Sequence, residues 1–320
     1  VTTQYRSGNH NLSFGFSANM NENVNYVKNL GTETTAGKGE WQFTLAPDLD
    51  YSYSKDSFST NVYYFGSTQQ PSNSQMSPTL NLGNPTMISA GNIYLKQYMY
   101  HYLGGYVRHN NRENFSYVNA RFSGNMEQNA IVQASWFDRN AIRYSVPVNS
   151  RKPSYSLSGT LTYNQPFGEK RYWTFSTYAD VSYSASAGYQ AKEELEGMDI
   201  EEFDYNDFMS EFWGNSSGDR FYSGDSGFSE SKMTTLHYAL DLGLKYQRDR
   251  FNASVHAYGR NQISKYSLDP DANADTWMHS YSFDAMYTTL KNWEFSTKIN
   301  ANFYIGYSAG FGAPQYNWNA

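Results

Sequence analysis

Asp269-Pro270-Asp271-Ala272-Asn273-Ala274-Asp275 places side-chain oxygens at i, i+2, i+4 and i+6, the spacing with which a calcium loop wraps an ion. Ala274 stands where such a loop has its turn glycine, and Ser280 where it closes with a bidentate Glu. Asp269, Asp271, Asn273 and Asp275 are therefore a candidate metal group, set against the plainer reading of a polar loop. No other cofactor is expected. The six histidines occur singly, and the chain has no cysteine, so neither a zinc motif nor a disulfide framework is available. His256 and Asp241 fall on the polar sides of neighbouring strands, but no nucleophile motif accompanies them, and no enzymatic activity is expected. A glycine-rich phosphate loop and a basic stripe for nucleic acid are both missing.

Acidic side chains gather in one segment, about 188–230. Twelve carboxylates, among them Glu201, Glu202, Asp204, Asp207 and Asp225, face only Lys192 and Arg220, whereas the whole chain carries a net charge of only −6. Such a loop can be a solvated outer surface, a collector of cations, or a dock for a partner such as a surface lipoprotein. Interleaved rings, including Phe212 and Trp213, argue against simple disorder because they offer apolar burial. Glu201, Glu202, Asp204, Asp207, Phe212 and Trp213 are thus the candidate ligand or partner residues.

The elements that hold these loops are strands. From Trp293 to Tyr307, odd positions read Trp293, Phe295, Thr297, Ile299, Ala301, Phe303, Ile305 and Tyr307, while Lys298, Asn300 and Asn302 fall between them. Successive strand side chains point to opposite faces, so one face is apolar and the other polar. Fifteen residues of alternation exceed what a soluble sandwich strand needs. Leu236–Tyr246, Trp173–Tyr183, Tyr155–Tyr163, Leu12–Met20 and Trp41–Tyr53 repeat the pattern. A mean hydropathy of −0.72 and the absence of any long apolar run fit a wall with lipid on one side and water on the other. Eleven complete strands are expected, at about 10–27, 40–54, 57–70, 96–110, 114–136, 141–166, 171–187, 231–248, 250–264, 276–291 and 293–310. Residues 1–5 and 316–320 read as two cut strands. Short turns alternate with longer loops at about 28–39, 71–95, 188–230 and 265–275, as in an up-and-down meander. Rings flank the short turns, which the bacterial pattern places on the periplasmic side with the long loops extracellular. Trp41 and Trp277 are expected nearer the outer interface. A single-chain bacterial barrel has an even strand number, so the expectation is an all-β, up-and-down transmembrane β-barrel segment over 1–320, belonging to a larger barrel.

Pro71-Ser72, Asn84-Pro85, Ile88-Ser89, Gly91-Asn92 and Leu95-Lys96 resemble a signature of the outer-membrane β-barrel family related to TonB-dependent receptors. Ile93 and Gln97-Tyr98 depart from the family's proline-rich ending. The resemblance covers essentially the whole chain. It implies a barrel of about 22 strands, a plug that this chain lacks, coupling to the TonB system through that plug, and a bacterial outer-membrane location. The implied function is uptake of a bulky nutrient such as a glycan, peptide or metal chelate. The alternative is a structural barrel that scaffolds a multiprotein complex. For Asn84, Pro85, Gly91 and Asn92 two roles are open: a rigid turn that sets register, or direct ligand contact by Asn84 or Asn92.

Overall fold

The computed structural model describes the chain apart from residues 23–24, 30–31, 37–40, 216, 224–225 and 308–311. The side chains of 19, 21–22, 25–29, 32–36 and 41–42 also lie outside the description, so the expectation for Trp41 falls there. In chain order, β1 (Thr2–Ser7) and β2 (His10–Glu22) precede a small separate hairpin, β3 (Asn25–Asn29) with β4 (Thr32–Ala36). Then come β5 (Trp41–Lys55), β6 (Phe58–Gln69), the short helix α1 (Asn73–Met76), β7 (Leu80–Asn84) and β8 (Met87–Ala90). They are followed by β9 (Tyr98–Asn110), β10 (Tyr117–Gln128), β11 (Ile131–Phe137), β12 (Arg143–Asn149), β13 (Ser154–Phe167) and β14 (Trp173–Ala191). Helices α2 (Tyr205–Phe212) and α3 (Asp219–Tyr222) lead to β15 (Phe228–Arg248), β16 (Phe251–Tyr266), β17 (Ala274–Thr288), β18 (Glu294–Ile305) and β19 (Gln315–Asn319).

One antiparallel meander forms the wall. Its order is β1, β2, β5, β6, β9, β10, β13, β14, β15, β16, β17, β18, β19, and each strand pairs with the next in that order. The up-and-down all-β architecture expected from the alternation is present. Two strands read as single units, 114–136 and 141–166, are each broken in two. β10 pairs directly with β13, and β11 and β12 leave the wall as a hairpin between them. Both faces of β12 are buried near its end, so Val146 and Val148 answer to a packing environment that the wall strands lack.

Register holds the two faces apart. A single row of directly opposed residues runs Leu12, Tyr51, Val62, Gly105, Phe122, Gly159, Val181, Tyr238, Asn261, Trp277, Ile305. All of them lie on the apolar face, and many of its large side chains are open: Leu157 is 56% exposed, Val255 51%, Val181 49% and Leu240 45%. The row is staggered. Leu12 stands three residues from the turn at Gly8-Asn9, whereas Ile305 stands thirteen from Asn292. A steady drift of this kind is what tilted strands produce. Along the short turns, rings form an edge to the apolar face: Tyr53 with Phe58 at 5.9 Å, Trp173 with Tyr246 at 4.8 Å, and Tyr246 with Phe251 at 6.1 Å. Asp56 and Asp249 take positive φ in two of these turns, a conformation that short polar side chains tolerate.

Asn261 is the one amide in that row, and it is fully buried beneath Tyr238 and Trp277, whose rings meet edge to face. Its Nδ2 donates to Asp275 Oδ1 at 2.6 Å and to the Thr276 carbonyl at 3.2 Å. The Nδ2 is thereby satisfied, while Oδ1 is buried with no hydrogen-bond partner among the described residues. Asn261→Ala is expected to lower stability by about 1–3 kcal/mol, measured by chemical unfolding of detergent-solubilised protein. An unchanged midpoint would show that the pair is dispensable.

Candidate functional site: a cap built from three excursions

At the long-loop rim the wall carries a second structure. β7 and β8 form one hairpin and β11 and β12 another. They join through parallel pairing of β8 with β12 over Met87–Ser89 and Arg143–Ser145. β11 in turn lies parallel to the far end of β14, at Ala134 with Tyr189 and Ser135 with Gln190. β14 therefore belongs to the wall along most of its length and to the cap at its end.

The acidic segment closes over these hairpins. Asp199 accepts from the backbone N–H groups of Glu201 and Glu202, and Asp204 caps α2 by accepting from those of Asn206 and Asp207. The helix these caps start is amphipathic: Tyr205 and Met209 are buried, while Asn206, Asp207 and Glu211 face out. Phe212 stacks on Trp136 at 6.0 Å and meets Phe228 edge-on at 5.5 Å. Trp213 is 3% exposed and stacks on Phe221 at 5.5 Å. Trp136 Nε1 donates to the Glu196 carbonyl at 3.0 Å. Ile88, Val146, Val148 and Ala134 complete this core.

Two tyrosine hydroxyls tie the segment to the hairpins. Tyr205 donates to the Gly91 carbonyl at 3.2 Å and accepts from the Ile93 N–H at 3.1 Å. Tyr222 donates to the Asn149 carbonyl, and the Arg151 guanidinium lies 4.2 Å above its ring. Burial pushes both phenols well above their ordinary range, because the anion would be desolvated. At the base of the cap, Lys152 Nζ meets Glu230 at 2.8 Å.

The Asn-Pro and Gly-Asn signature is placed inside this frame. Asn84 Oδ1 accepts from the N–H and hydroxyl of Thr86 and shapes the exposed turn that contains Pro85. Gly91 passes so close to Ser77 and Gln75 that an added Cβ would collide with their backbones. Asn92 is fully buried; its Nδ2 donates to the Pro147 carbonyl at 3.0 Å and its Oδ1 accepts from the Tyr94 N–H at 2.9 Å. Asn92 thus joins the first excursion to the second, while the Gly91 carbonyl joins it to the acidic segment through Tyr205.

Of the candidate ligand or partner residues, Glu201, Glu202 and Asp207 are exposed on the cap, Asp204 is its helix cap, and Phe212 and Trp213 lie in its interior. Asp225 lies outside the described residues. The calcium spacing is not gathered around a point. Asn273 Oδ1 accepts from the Tyr266 N–H at 2.7 Å, and Asp275 is engaged by Asn261. Asp269 and Asp271 are exposed beside a single 3-10 turn. Among the described residues no cluster of three or more His, Cys, Asp and Glu side chains is placed to hold a metal. On the polar face, His256 does meet Asp241, at 3.4 Å, and a second pair not anticipated from the sequence, His237 with Asp180, stands at 3.0 Å. Their alternation marks them as polar-face residues, but pairing between strands depends on register.

No family model matches the sequence. The search of curated proteins likewise returns no match. Among solved structures, the chain is similar to the beta domain of the Bordetella autotransporter Brka at 9% identity, with 99% of this chain and 92% of that chain covered. The TM-score is 0.27, a likeness too slight to bear on fold or function.

Tyr205→Phe removes the hydroxyl that joins helix to hairpin and is expected to cost the cap about 1–3 kcal/mol. Hydrogen exchange should show faster opening of 192–222 with the β14–β15 ladder still protected. Equal protection in both proteins would deny the anchor its role. The raised phenol pKa values give a pH direction. Unfolded tyrosine ionises near pH 10, so cap stability should hold below about that value and decline as pH rises above it. In the doubly substituted Tyr205→Phe, Tyr222→Phe protein that alkaline decline should be smaller.

Proposed function

We propose that this chain is the wall and outer cap of a bacterial outer-membrane β-barrel that takes up a bulky nutrient in the manner of TonB-dependent receptors. The observation that carries the membrane reading is the open apolar face. Leu103, Phe122, Leu157, Val181, Leu240, Val255, Phe283 and Ile299 span strand after strand, each exposed by more than a third. Soluble monomers rarely leave an apolar patch of more than a few hundred Å² uncovered, whereas a lipid-facing wall needs one. The polar face then borders water, which suits Asp180, Asp241, Asp284 and Lys298 in mid-strand.

The two edges support a wide barrel. β1 pairs only with β2 and β19 only with β18, and no ladder joins β1 to β19 among the described residues. In hydrocarbon an open edge leaves unpaired N–H and C=O groups at several kcal/mol each, so further strands are needed to close it. A barrel larger than this wall has room for a plug through which the TonB system would act. The short-turn rim is assigned to the periplasm and the cap to the cell surface. Wall and cap supply shape, binding and partner contacts rather than covalent chemistry, and outer-membrane lipid is the surrounding partner.

A scaffold within a multiprotein complex is the second reading. It is favoured by the exposed Glu201, Glu202 and Asp207 on a cap with its own apolar core, a surface suited to a lipoprotein. Collapse of proton-motive force separates the two: uptake of the bound nutrient should stop, whereas scaffolding should persist. Uptake that continues without it would overturn the transporter reading.

The lipid-facing assignment has its own test. Leu242→Arg should impair insertion by about 2–4 kcal/mol at the bilayer midplane, and Asn300→Arg, on the opposite face, should be tolerated. Folding yields into lipid vesicles would be compared. Equal yields would remove the membrane reading.

A further inference from the structure

On the polar face of β6 and β9, aromatic rings gather into a stacked cluster. Phe65 stacks on Tyr102 at 5.2 Å and 19°, Tyr63 stacks on Tyr102 at 5.7 Å and 25°, and Tyr100 lies 6.0 Å from Phe65. Phe65 remains 39% exposed, and the rings beside it are half-buried. Gly104 sits directly opposite Tyr63, and a Cβ there would crowd both Tyr63 and Tyr102, so the glycine is what lets the rings stack. Beside them β10 and β13 present Ser123, Ser158 and Thr160, which leave a concave pocket of about 590 Å³. That is within the range of small-ligand sites, roughly 300–1,000 Å³.

Three planar polar groups meet this pocket. Arg108 and Arg121 line it, with Arg108 5.4 Å from the Tyr106 ring, and Asn61 lies at its edge, donating to Asp50 at 3.0 Å. Asp50 stands opposite Tyr63 on β5 and is engaged by Asn61, and no carboxylate lines the pocket itself. The composition discriminates among ligands. Two arginines without a lining carboxylate suit a ligand that carries carboxylate groups, and the stacked rings ask in addition that it present flat ring faces. A peptide calls for free backbone donors and acceptors, and here the wall's are engaged in ladders. A sugar ring offers a face of weakly positive C–H groups for the negative face of an aromatic ring, with hydroxyls at its rim for amide and guanidinium groups.

We propose that this pocket is a carbohydrate-binding subsite, in which Tyr63 and Tyr102 stack against sugar rings, with Phe65 backing Tyr102, while Asn61, Arg108 and Arg121 bond the sugar's hydroxyl and carboxylate groups. The proposal rests on the reading of the polar face as the water-filled interior of an uptake barrel, and it names the glycan as the cargo.

The test applies detergent-solubilised full-length protein to a printed array of neutral and uronic-acid-containing oligosaccharides. Retention of at least one glycan class is expected. Tyr102→Ala should weaken it by at least about tenfold, the loss of one stacking contact, and Tyr102→Phe should leave it within about twofold. Arg121→Gln, an exposed substitution with little bearing on folding, should also weaken retention, while Tyr178→Ala elsewhere on the polar face should not. A blank array, or binding indifferent to both Tyr102→Ala and Arg121→Gln, would overturn the subsite. If the array is blank while proton-motive uptake of a peptide or metal chelate persists, the carbohydrate assignment falls and the uptake reading stands.

Discussion

Every part of this molecule depends on one constraint: long antiparallel ladders must keep register while side chains alternate between two unlike surroundings. β14 and β15 show it at full length, with uninterrupted pairing from Trp173 and Tyr246 to Ala191 and Phe228. A slip of one residue would send Leu236, Leu240 and Leu244 to the polar side and Asp241 and Lys245 to the apolar side. The ladder satisfies the backbone and sorts the side chains at once, so the wall needs no conventional interior.

The cap is organised by the opposite principle. Its strands are short, and one of them, β12, is buried on both faces near its end. It is held by a packed aromatic core and by specific hydrogen bonds from Tyr205, Tyr222 and Asn92. The two regimes share β14, whose apolar face is open at Val181 and becomes covered at Tyr189. Carboxylates in the cap divide between outward-facing positions and backbone caps such as Asp199 and Asp204, so the density of negative charge and the density of rings in one segment are not in conflict.

The wall was legible because a period of two is visible in composition alone: Trp293 to Tyr307 and Leu236 to Tyr246 show both faces without any knowledge of neighbours. The break inside 114–136 was not, since Ile131–Phe137 continues the alternation of β10 after only Asn129 and Ala130. The cue lay further on, in Val146-Pro147-Val148 followed by Ser150-Arg151-Lys152-Pro153, a stretch poor in the strict alternation of a wall strand. The cap residues were found by composition, but their orientation was not. Phe212 and Trp213 read as candidate contacts because nothing local reveals that two hairpins more than sixty residues upstream come to cover them. Likewise the oxygen spacing of Asp269–Asp275 resembles a loop ligand set, yet register with β16 brings Asp275 against Asn261.

The direct pairing of β10 with β13 has a consequence for how such a protein can change. Because the wall closes beneath the second excursion, residues 129–153 form a cassette whose removal or exchange would leave the ladder continuous. The cassette is nonetheless not independent of its neighbours. Asn92 reads its Pro147 carbonyl, Tyr222 reads its Asn149 carbonyl, and Trp136 is packed by Phe212 and Phe228. A change in any one excursion would have to be accommodated by the other two, whereas the ladder below would be left undisturbed.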